Sequence, residues 1–275
     1  MTTAITLPSV SGAPLATSLP AKVRWAVRDA LTITKRNLIA YTRVPEALFF
    51  STVQPVMFVL LFTYVFGGAI PIPGDIAYVD YLMPGIFVQT VAFGSVSTSI
   101  GLAEDLQKGI IERFRALPMA RSAVLAGRTT ADLVRNVLVM IIISIVGFLV
   151  GFRPTTSVAA YLAGVGIILL FAYALSWGFA VVGLSAPNSE TAQIMSFPIL
   201  FPLTFASSAF VPVGSMPSWL QGFATYQPVS VTVNACRALM IGGDTATWVI
   251  QSLLWSVGLL VVLMPLAVWR YRTRT

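Results

Sequence analysis

Long stretches without a charged side chain constrain the fold of this chain more than any other feature. They run over 47–74, 81–103, 154–189, 191–236 and 245–269. In the whole chain 57% of the residues are hydrophobic and only 10% are charged, whereas soluble domains carry about 25% charged residues. Since a helix of about 20 apolar residues crosses a bilayer, the pattern predicts an all-α integral membrane protein.

Charges and helix-breaking residues place six transmembrane helices along the chain. We predict them near 47–66, 81–103, 134–151, 158–183, 191–210 and 245–269. The segment 211–243 cannot form one straight helix, because Pro212, Gly214, Pro217 and Pro228 interrupt it. We expect short re-entrant helices there, which a membrane tolerates only where their backbone is buried in protein.

The N-terminal region divides into two parts. Residues 1–21 are rich in Thr, Ser, Pro and Ala, and we expect them to form a disordered cytoplasmic tail. Residues 22–43 predict an amphipathic helix in the headgroup layer, with a basic face opposite an apolar one. The apolar face holds Val23, Ala26, Val27, Ala30, Thr34, Leu38 and Tyr41, and the basic face holds Arg24, Arg28, Lys35 and Arg43. A solvated helix docked on protein is the alternative.

The distribution of Lys and Arg predicts the orientation of the chain. Six of these residues lie in 22–43, six in 108–135 and three in 270–274, which leaves only Arg153 and Arg237 elsewhere. Since positive residues concentrate on the cytoplasmic side, we expect a multi-pass protein of the bacterial plasma membrane with both termini in the cytoplasm. The excess of positive charge follows from this topology, and nucleic-acid binding is not expected.

Several classes of protein require side chains that this sequence lacks. There is no histidine and one cysteine, Cys236, so a Ser-His-Asp triad is excluded and no metal site is expected. The phosphate-binding pattern G-x-x-x-x-G-K-[ST] is absent, and we expect no ATPase site in this chain. No acidic residue falls in the middle of a predicted span, which argues against a proton-driven carrier.

A charged segment, 104–135, separates the second and third predicted spans and belongs on the cytoplasmic side. Its first part, 104–117, predicts a short amphipathic helix that Pro118 ends. The apolar positions at helical spacing are Leu106, Ile110, Phe114 and Leu117. An aromatic side chain flanked by arginines suits a socket in a partner protein. A helix lying on anionic lipid is the alternative.

Two sequence blocks carry a resemblance to a known family. The first is Glu104–Arg121 followed by Gly127–Leu133, and the second is Pro212–Leu220 with Gln227–Ser230 and Arg237–Gly243. With six spans and an amphipathic N-terminal helix, the chain resembles the permease subunits of bacterial ABC transporters of the ABC-2 type over nearly its whole length. The resemblance is strongest to their daunorubicin-resistance-like multidrug branch.

The resemblance implies an architecture and a partner. Residues 44–275 would form the ABC-2 type transmembrane domain, with 22–43 as its interface helix and 211–243 as an outer re-entrant hairpin. The loop between spans two and three would carry a coupling helix that docks on a separate cytoplasmic ATPase, which binds ATP and Mg²⁺. The residues implied in this contact are Glu112, Arg113, Phe114 and Arg115. The complex would hold two ATPase subunits and two permeases, either two copies of this chain or this chain and a similar permease.

The resemblance also implies that spans one, two and five line the transport path. The residues there are Gln54, Phe58, Phe62, Gln89, Phe93, Phe197, Phe201 and Phe205. Aromatic rings with a few polar groups suit hydrophobic or amphiphilic cargo, and the alternative for each ring is packing on lipid or on a neighbouring helix. We therefore expect the permease subunit of an exporter of hydrophobic drugs, antibiotics or lipid-like molecules. Export of a glycolipid or polysaccharide precursor is one alternative, and a membrane-embedded enzyme or assembly scaffold is another.

Overall fold

The computed structural model describes residues 19–43, 45–70, 72, 76–115 and 121–274, which form ten α-helices and no strand. The helices are α1 (Leu19–Thr42), α2 (Pro45–Leu60), α3 (Tyr78–Gln107), α4 (Ile110–Arg115), α5 (Arg121–Val150), α6 (Val158–Ser185), α7 (Ser189–Phe205), α8 (Ser218–Tyr226), α9 (Pro228–Ile241) and α10 (Thr245–Thr273). A π-helical segment, Leu61–Phe66, continues α2, and a 3-10 turn, Val213–Ser215, precedes α8. Of the predicted N-terminal tail, residues 1–18 lie outside the described residues, and 19–21 belong to α1.

Four of these helices, α3, α5, α6 and α10, are long and apolar enough to cross a membrane. They lie at the second, third, fourth and sixth predicted spans, so the prediction of an all-α membrane protein is confirmed. Helices also occupy the first and fifth predicted positions, but α2 has 16 residues and α7 has 17. Both contain prolines, Pro55 in α2 and Pro198 and Pro202 in α7. The count of six spans stays a prediction.

The central helix of the structure is α3. In its most apolar window 78% of the residues are buried, compared with 11% for α10, which lies at the periphery. Against α3 pack α5, α6, α7 and α9. Two glycines bring backbones close together: a Cβ at Gly183 of α6 would lie 2.4 Å from the Ser99 carbonyl oxygen, and one at Gly85 of α3 would lie 2.2 Å from that of Ala209. Small residues at such contacts allow the close packing that holds helices together in lipid.

The third long helix begins earlier than predicted. We placed the third span at 134–151, but α5 starts at Arg121 and therefore includes Arg128, Asp132 and Arg135. The helix therefore extends 13 residues before the predicted span, which already contained Arg135. Which part of α5 lies in the membrane stays a prediction. In the structure all three charged residues belong to the helix; Asp132 and Arg135 are buried against neighbouring helices, and Arg128 is partly buried.

The amphipathic N-terminal helix is confirmed as a helix, and one of its faces docks on protein. It packs along α5, where a Cβ at Gly127 would lie 2.7 Å from the Ala30 carbonyl oxygen. The Thr34 hydroxyl donates to the carbonyl of Gly127 at 3.1 Å. Large apolar side chains remain exposed elsewhere on α1, among them Trp25, Val27, Leu31 and Ile39. Docking on protein, the alternative given for this helix, therefore holds for one face of α1. Lipid contact by its exposed apolar side chains stays a prediction.

The predicted helix over 104–117 is wrong as a continuous element. The structure ends α3 at Gln107 and starts a separate six-residue helix, α4, at Ile110. Gly109 separates them with a φ of 64°, a left-handed conformation that glycine adopts at helix C-termini without strain. The predicted stop at Pro118 lies outside the described residues.

The segment 211–243 forms short helices, as predicted. The side-chain oxygen of Gln227 accepts a hydrogen bond from the backbone N–H of Val229 at 2.9 Å, and Pro228 occupies the first turn of α9. Both features favour a new helix at this point. Helix α9 buries Cys236 in the core, whereas α8 exposes Trp219. The re-entrant position of this pair in the membrane stays a prediction.

Two glycines of α6 test the importance of the contact between α3 and α6. We expect Gly183→Ala to lower the free energy of unfolding by about 1–3 kcal/mol, because the new methyl group would overlap backbone atoms of Ser99. Gly166→Ala is the matched control, since a Cβ there meets nothing within 4 Å, and alanine should leave stability unchanged or slightly higher. Thermal unfolding of the purified protein in detergent measures the stability of both variants. Equal effects would contradict a close contact between α3 and α6 at Gly183.

Candidate translocation cavity and coupling surface

A cavity of about 370 Å³ opens between α2, α3, α5 and α7. Six of the eight residues predicted for the transport path line it: Gln54, Phe58, Gln89, Phe93, Phe197 and Phe201. The rings of Phe93 and Phe201 lie edge to face, with centroids 5.9 Å apart, and those of Phe197 and Phe201 are 5.5 Å apart. Aromatic pairs in this arrangement provide an apolar wall of defined shape.

The other two predicted residues, Phe62 and Phe205, do not line this cavity. Their rings instead stack on Phe210, with centroid distances of 4.6 Å and 5.6 Å. The cluster continues to Phe58, which does line the cavity and lies 5.8 Å from Phe62. Phe210 lies after the end of α7 and was not among the residues predicted for the transport path. Only its place in the apolar run up to Val211 could have indicated a role there.

The polar side of the cavity was missed by sequence reasoning. Six further residues with polar side chains line it: Ser51, Thr90, Ser97, Arg135, Asn136 and Gln193. Two of them, Arg135 and Asn136, belong to α5 and lie inside the third predicted span, but the resemblance implied only spans one, two and five as walls of the path. The cavity therefore has an aromatic side on α2, α3 and α7, and a polar side centred on α3 and α5.

Beside this polar side, Asp132 of α5 is fully buried. Its carboxylate accepts hydrogen bonds from the hydroxyls of Ser97 and Thr98 on α3 and of Tyr41 on α1. The guanidinium of Arg128, one turn earlier on α5, lies 3.7 Å away. The sequence analysis placed no acidic residue in the middle of a predicted span, but Asp132 lies well inside α5. The charge of Asp132 is paired and hydrogen-bonded by groups from three helices. We therefore interpret Asp132 as a structural tie, a contact that holds α1, α3 and α5 together, and not as a group that exchanges protons with the cavity.

Tyr41 contributes the hydroxyl that joins α1 to this tie. Burial, reinforced by the Asp132 carboxylate, raises the pKa of Tyr41 to about 12, so the phenol keeps its proton at neutral pH and can donate it. The guanidinium of Arg135 lies 5.8 Å from the Tyr41 ring centroid and donates to the carbonyl of Gly94. Tyr41, Asp132 and Arg135 thus connect α1, α3 and α5 beside the cavity.

The predicted coupling residues lie on α4, the short helix after Gly109. Glu112 and Arg113 are exposed, and the side chain of Arg115 lies outside the described residues. Ile111 is 1% exposed and packs in an apolar cluster with residues of α3, α5, α6 and α10. Helix α4 is therefore anchored by Ile111 and presents Glu112 and Arg113 to the surroundings.

Phe114 is half-buried against residues of its own chain. The Arg36 guanidinium of α1 lies 5.1 Å from its ring centroid and also pairs with Asp105 of α3 at 2.8 Å. The ring contacts the same apolar cluster as Ile111. These contacts leave only part of the Phe114 ring free for the partner socket that the sequence suggested, and they join α1, α3 and α4 at one point.

We expect Asp132→Ala to lower the free energy of unfolding by about 3–5 kcal/mol, because the change leaves Arg128 buried without its counter-charge. Asp132→Asn should cost less, since an amide still accepts hydrogen bonds from the surrounding hydroxyls. Glu190→Ala, at an exposed carboxylate, is the matched control. Thermal unfolding in detergent measures all three, and a loss no greater than that of the control would contradict the proposed tie.

Comparison with known proteins places the chain in a family. The family model for the ABC-2 type transporter matches residues 28–241. The daunorubicin resistance ABC transporter permease protein DrrB1 of Streptomyces coeruleorubidus is 34% identical over 250 residues, which cover 90% of this chain and 88% of that protein. The probable doxorubicin resistance ABC transporter permease protein DrrC of Mycobacterium tuberculosis is 25% identical over 92% of this chain and 91% of its own length. The putative transport permease ycf38 of Cyanophora paradoxa is 24% identical over 84% and 79%. These matches confirm the resemblance seen in the sequence, and the chain belongs to the ABC-2 type transporter family.

Proposed function

We propose that this chain is the permease subunit of an ATP-driven exporter that moves hydrophobic drugs, antibiotics or lipid-like molecules out of the cell. The observation that carries the proposal is the cavity between α2, α3, α5 and α7, lined by aromatic rings and amide groups in a chain of this family. The names of two relatives, resistance permeases for daunorubicin and doxorubicin, support a drug as cargo. None of the three relatives above is named for glycolipid or polysaccharide export or as an enzyme.

The energy would come from a separate cytoplasmic ATPase. Two ATPase subunits, binding ATP and Mg²⁺, would serve two permeases, either two copies of this chain or this chain and a paralogue. Glu112 and Arg113 would contact the ATPase, and their exposure on α4 supports this role. The positive charges of α1 would support the same contact or bind anionic lipid.

The structure suggests how movement at α4 would reach the cavity. Ile111 belongs to the same apolar cluster as Leu102 of α3 and Leu125 of α5. Phe114 and Asp105 meet the same arginine of α1, Arg36. A displacement of α4 by the ATPase would therefore move α3 and α5 together with α1. Since α3 and α5 form the polar side of the cavity, their shift would change its shape and access.

Exposed charges of α4 test the coupling. We expect the double change Glu112→Ala and Arg113→Ala to weaken binding of the ATPase at least about tenfold, because charge-assisted contacts contribute about 1.5–3 kcal/mol each and 1.4 kcal/mol corresponds to tenfold. Stability of the isolated permease should not change, since both side chains are exposed. Co-purification and ATP-dependent transport measure the effect.

Two further variants are compared with the double variant. Arg153→Ala removes an exposed arginine that is predicted on the outer side, and it should leave ATPase binding unchanged. Phe114→Ala should lower stability as well as coupling, because the ring packs within this chain. Normal co-purification and transport by the double variant would overturn the coupling role of α4.

Membrane orientation is tested by labelling intact cells with a thiol reagent that does not cross the membrane. We expect Ser215→Cys, which precedes α8, to react from outside and Ser122→Cys, at the start of α5, to react only after permeabilisation. Both serines are exposed, and Cys236 is fully buried and should stay unlabelled. The reverse pattern would overturn the prediction that both termini are cytoplasmic.

A further inference from the structure

Arg237 of α9 is one of only two basic residues that lie outside the three predicted cytoplasmic clusters of positive charge. Its guanidinium donates hydrogen bonds to the main-chain carbonyl of Tyr81 on α3, at 3.3 and 3.1 Å, and to that of Ser208 at 2.9 Å. It also donates to the side-chain oxygen of Asn234 at 2.9 Å, and its central carbon lies 3.7 Å from the centroid of the Tyr81 ring. Arg237 therefore joins α3 and α9 to the segment that follows α7.

This segment, 206–212, has no regular secondary structure, yet most of it is buried. In a membrane protein such backbone needs hydrogen-bond partners from the protein itself. The backbone N–H of Ser208 donates to the Ser230 hydroxyl of α9 at 3.0 Å. The carbonyl of Phe210 accepts from the Tyr78 hydroxyl of α3 at 3.3 Å. Together with the contacts of the guanidinium, these bonds fix the segment against α3 and α9.

The ring of Phe210 on this segment belongs to the aromatic cluster beside the cavity. It lies 4.6 Å from the ring of Phe62, after α2, and 5.6 Å from that of Phe205, at the end of α7. Both helices are predicted to run outward. Phe62 and Phe205 follow Phe58 and Phe201 in these helices, and it is Phe58 and Phe201 that line the cavity. The cluster with Phe210 therefore lies on the predicted outer side of the cavity.

The acceptors of Arg237 suit a contact that can open and close. Among the described residues they are uncharged carbonyl and amide oxygens, so movement of the segment separates no buried ion pair. Arg237 also borders a second cavity of about 240 Å³, together with the exposed Asp244 at the start of α10. Water that enters from this side can replace the lost hydrogen bonds.

We propose that Arg237 is a positioning residue of an outer gate. It holds 206–212, and with it the ring of Phe210, in the place that closes the outer end of the transport path. Opening toward the outside releases the Ser208 carbonyl from Arg237 and separates Phe210 from the rings of α2 and α7. This inference rests on the proposed export function and on the predicted orientation, and it adds the residue that keeps the path closed between transport cycles.

The test measures how fast a small, membrane-impermeant methanethiosulfonate labels a cysteine in the cavity from the outer side. The reporter is Gln54→Cys, which lies in the cavity lining, in a Cys236→Ala background. Right-side-out membrane vesicles contain the permease and its ATPase. Without ATP, we expect Arg237→Met to accelerate labelling of the reporter at least about tenfold, because the loss of even one charge-assisted hydrogen bond corresponds to about that change in an equilibrium constant. ATP inside the vesicles should accelerate labelling of the reporter alone and add little to that of the variant.

Arg153→Met is the matched control. Arg153 is the other arginine predicted on the outer side, and its guanidinium donates to two carbonyls near the end of α5, so labelling should stay slow. Arg237→Lys keeps the charge but loses the planar guanidinium. It should give an intermediate rate, and it decides the test if the methionine variant is not recovered in the membrane. Tyr81→Phe removes only the hydroxyl that donates to the Ser208 carbonyl at 3.2 Å and should accelerate labelling less than Arg237→Met.

ATP-driven uptake of doxorubicin into inverted vesicles, measured in parallel, separates this inference from the proposed function. Faster labelling of Arg237→Met without doxorubicin uptake by the native complex would support the gate and contradict drug export. Doxorubicin uptake together with equal labelling of Arg237→Met and Arg153→Met would support export and overturn the gate. Labelling of the reporter alone that is fast without ATP would also overturn the gate, since the path would then be open to the outside.

Discussion

The buried carboxylate of Asp132 is the interaction on which the arrangement of the helices around the cavity depends. It receives hydrogen bonds from Tyr41 of α1 and from Ser97 and Thr98 of α3, while Arg128 of its own helix supplies the counter-charge. A buried charge is costly unless it is paired and hydrogen-bonded, and here the groups that satisfy it come from three helices. The position of α5 against α3, and of α1 against both, follows from meeting this requirement at one point.

The same three helices link α4, the candidate coupling surface, with the candidate translocation cavity. At one end, Arg36 joins α1 to Asp105 of α3 and to Phe114 of α4. Along α3 and α5, the Asp132 tie lies beside Ser97 and Arg135, which line the cavity. The two groups of contacts share α1 and α3, which therefore connect α4 with the polar wall of the cavity. In the proposed function, the ATPase and the transported molecule would act on the same packed helices, and this sharing would couple them.

Sequence reasoning predicted the elements well and their polar contacts poorly. Hydropathy located helices at every predicted span, and six of the eight predicted path residues line one cavity. One error arose because charges were taken to mark the ends of spans. This left Asp132 outside the third predicted span, although it lies well inside α5. Arg135 and Asn136 were inside that span, but the resemblance had assigned the walls of the path to spans one, two and five. The glycine break after α3 was also missed, since the apolar spacing continues through Gly109.

The sequence by itself determined that this chain is a helical membrane protein, because hydropathy and helix-breaking residues act over neighbouring positions. It also carried the blocks that mark the ABC-2 family. Only the tertiary structure decided which polar groups meet. Tyr41 and Asp132 are 91 residues apart in the chain, and no local pattern reveals such a pair. The free-energy cost of burying the Asp132 carboxylate is offset by hydrogen bonds from hydroxyl groups that are distant in the chain. These hydrogen bonds form only once the helices have packed.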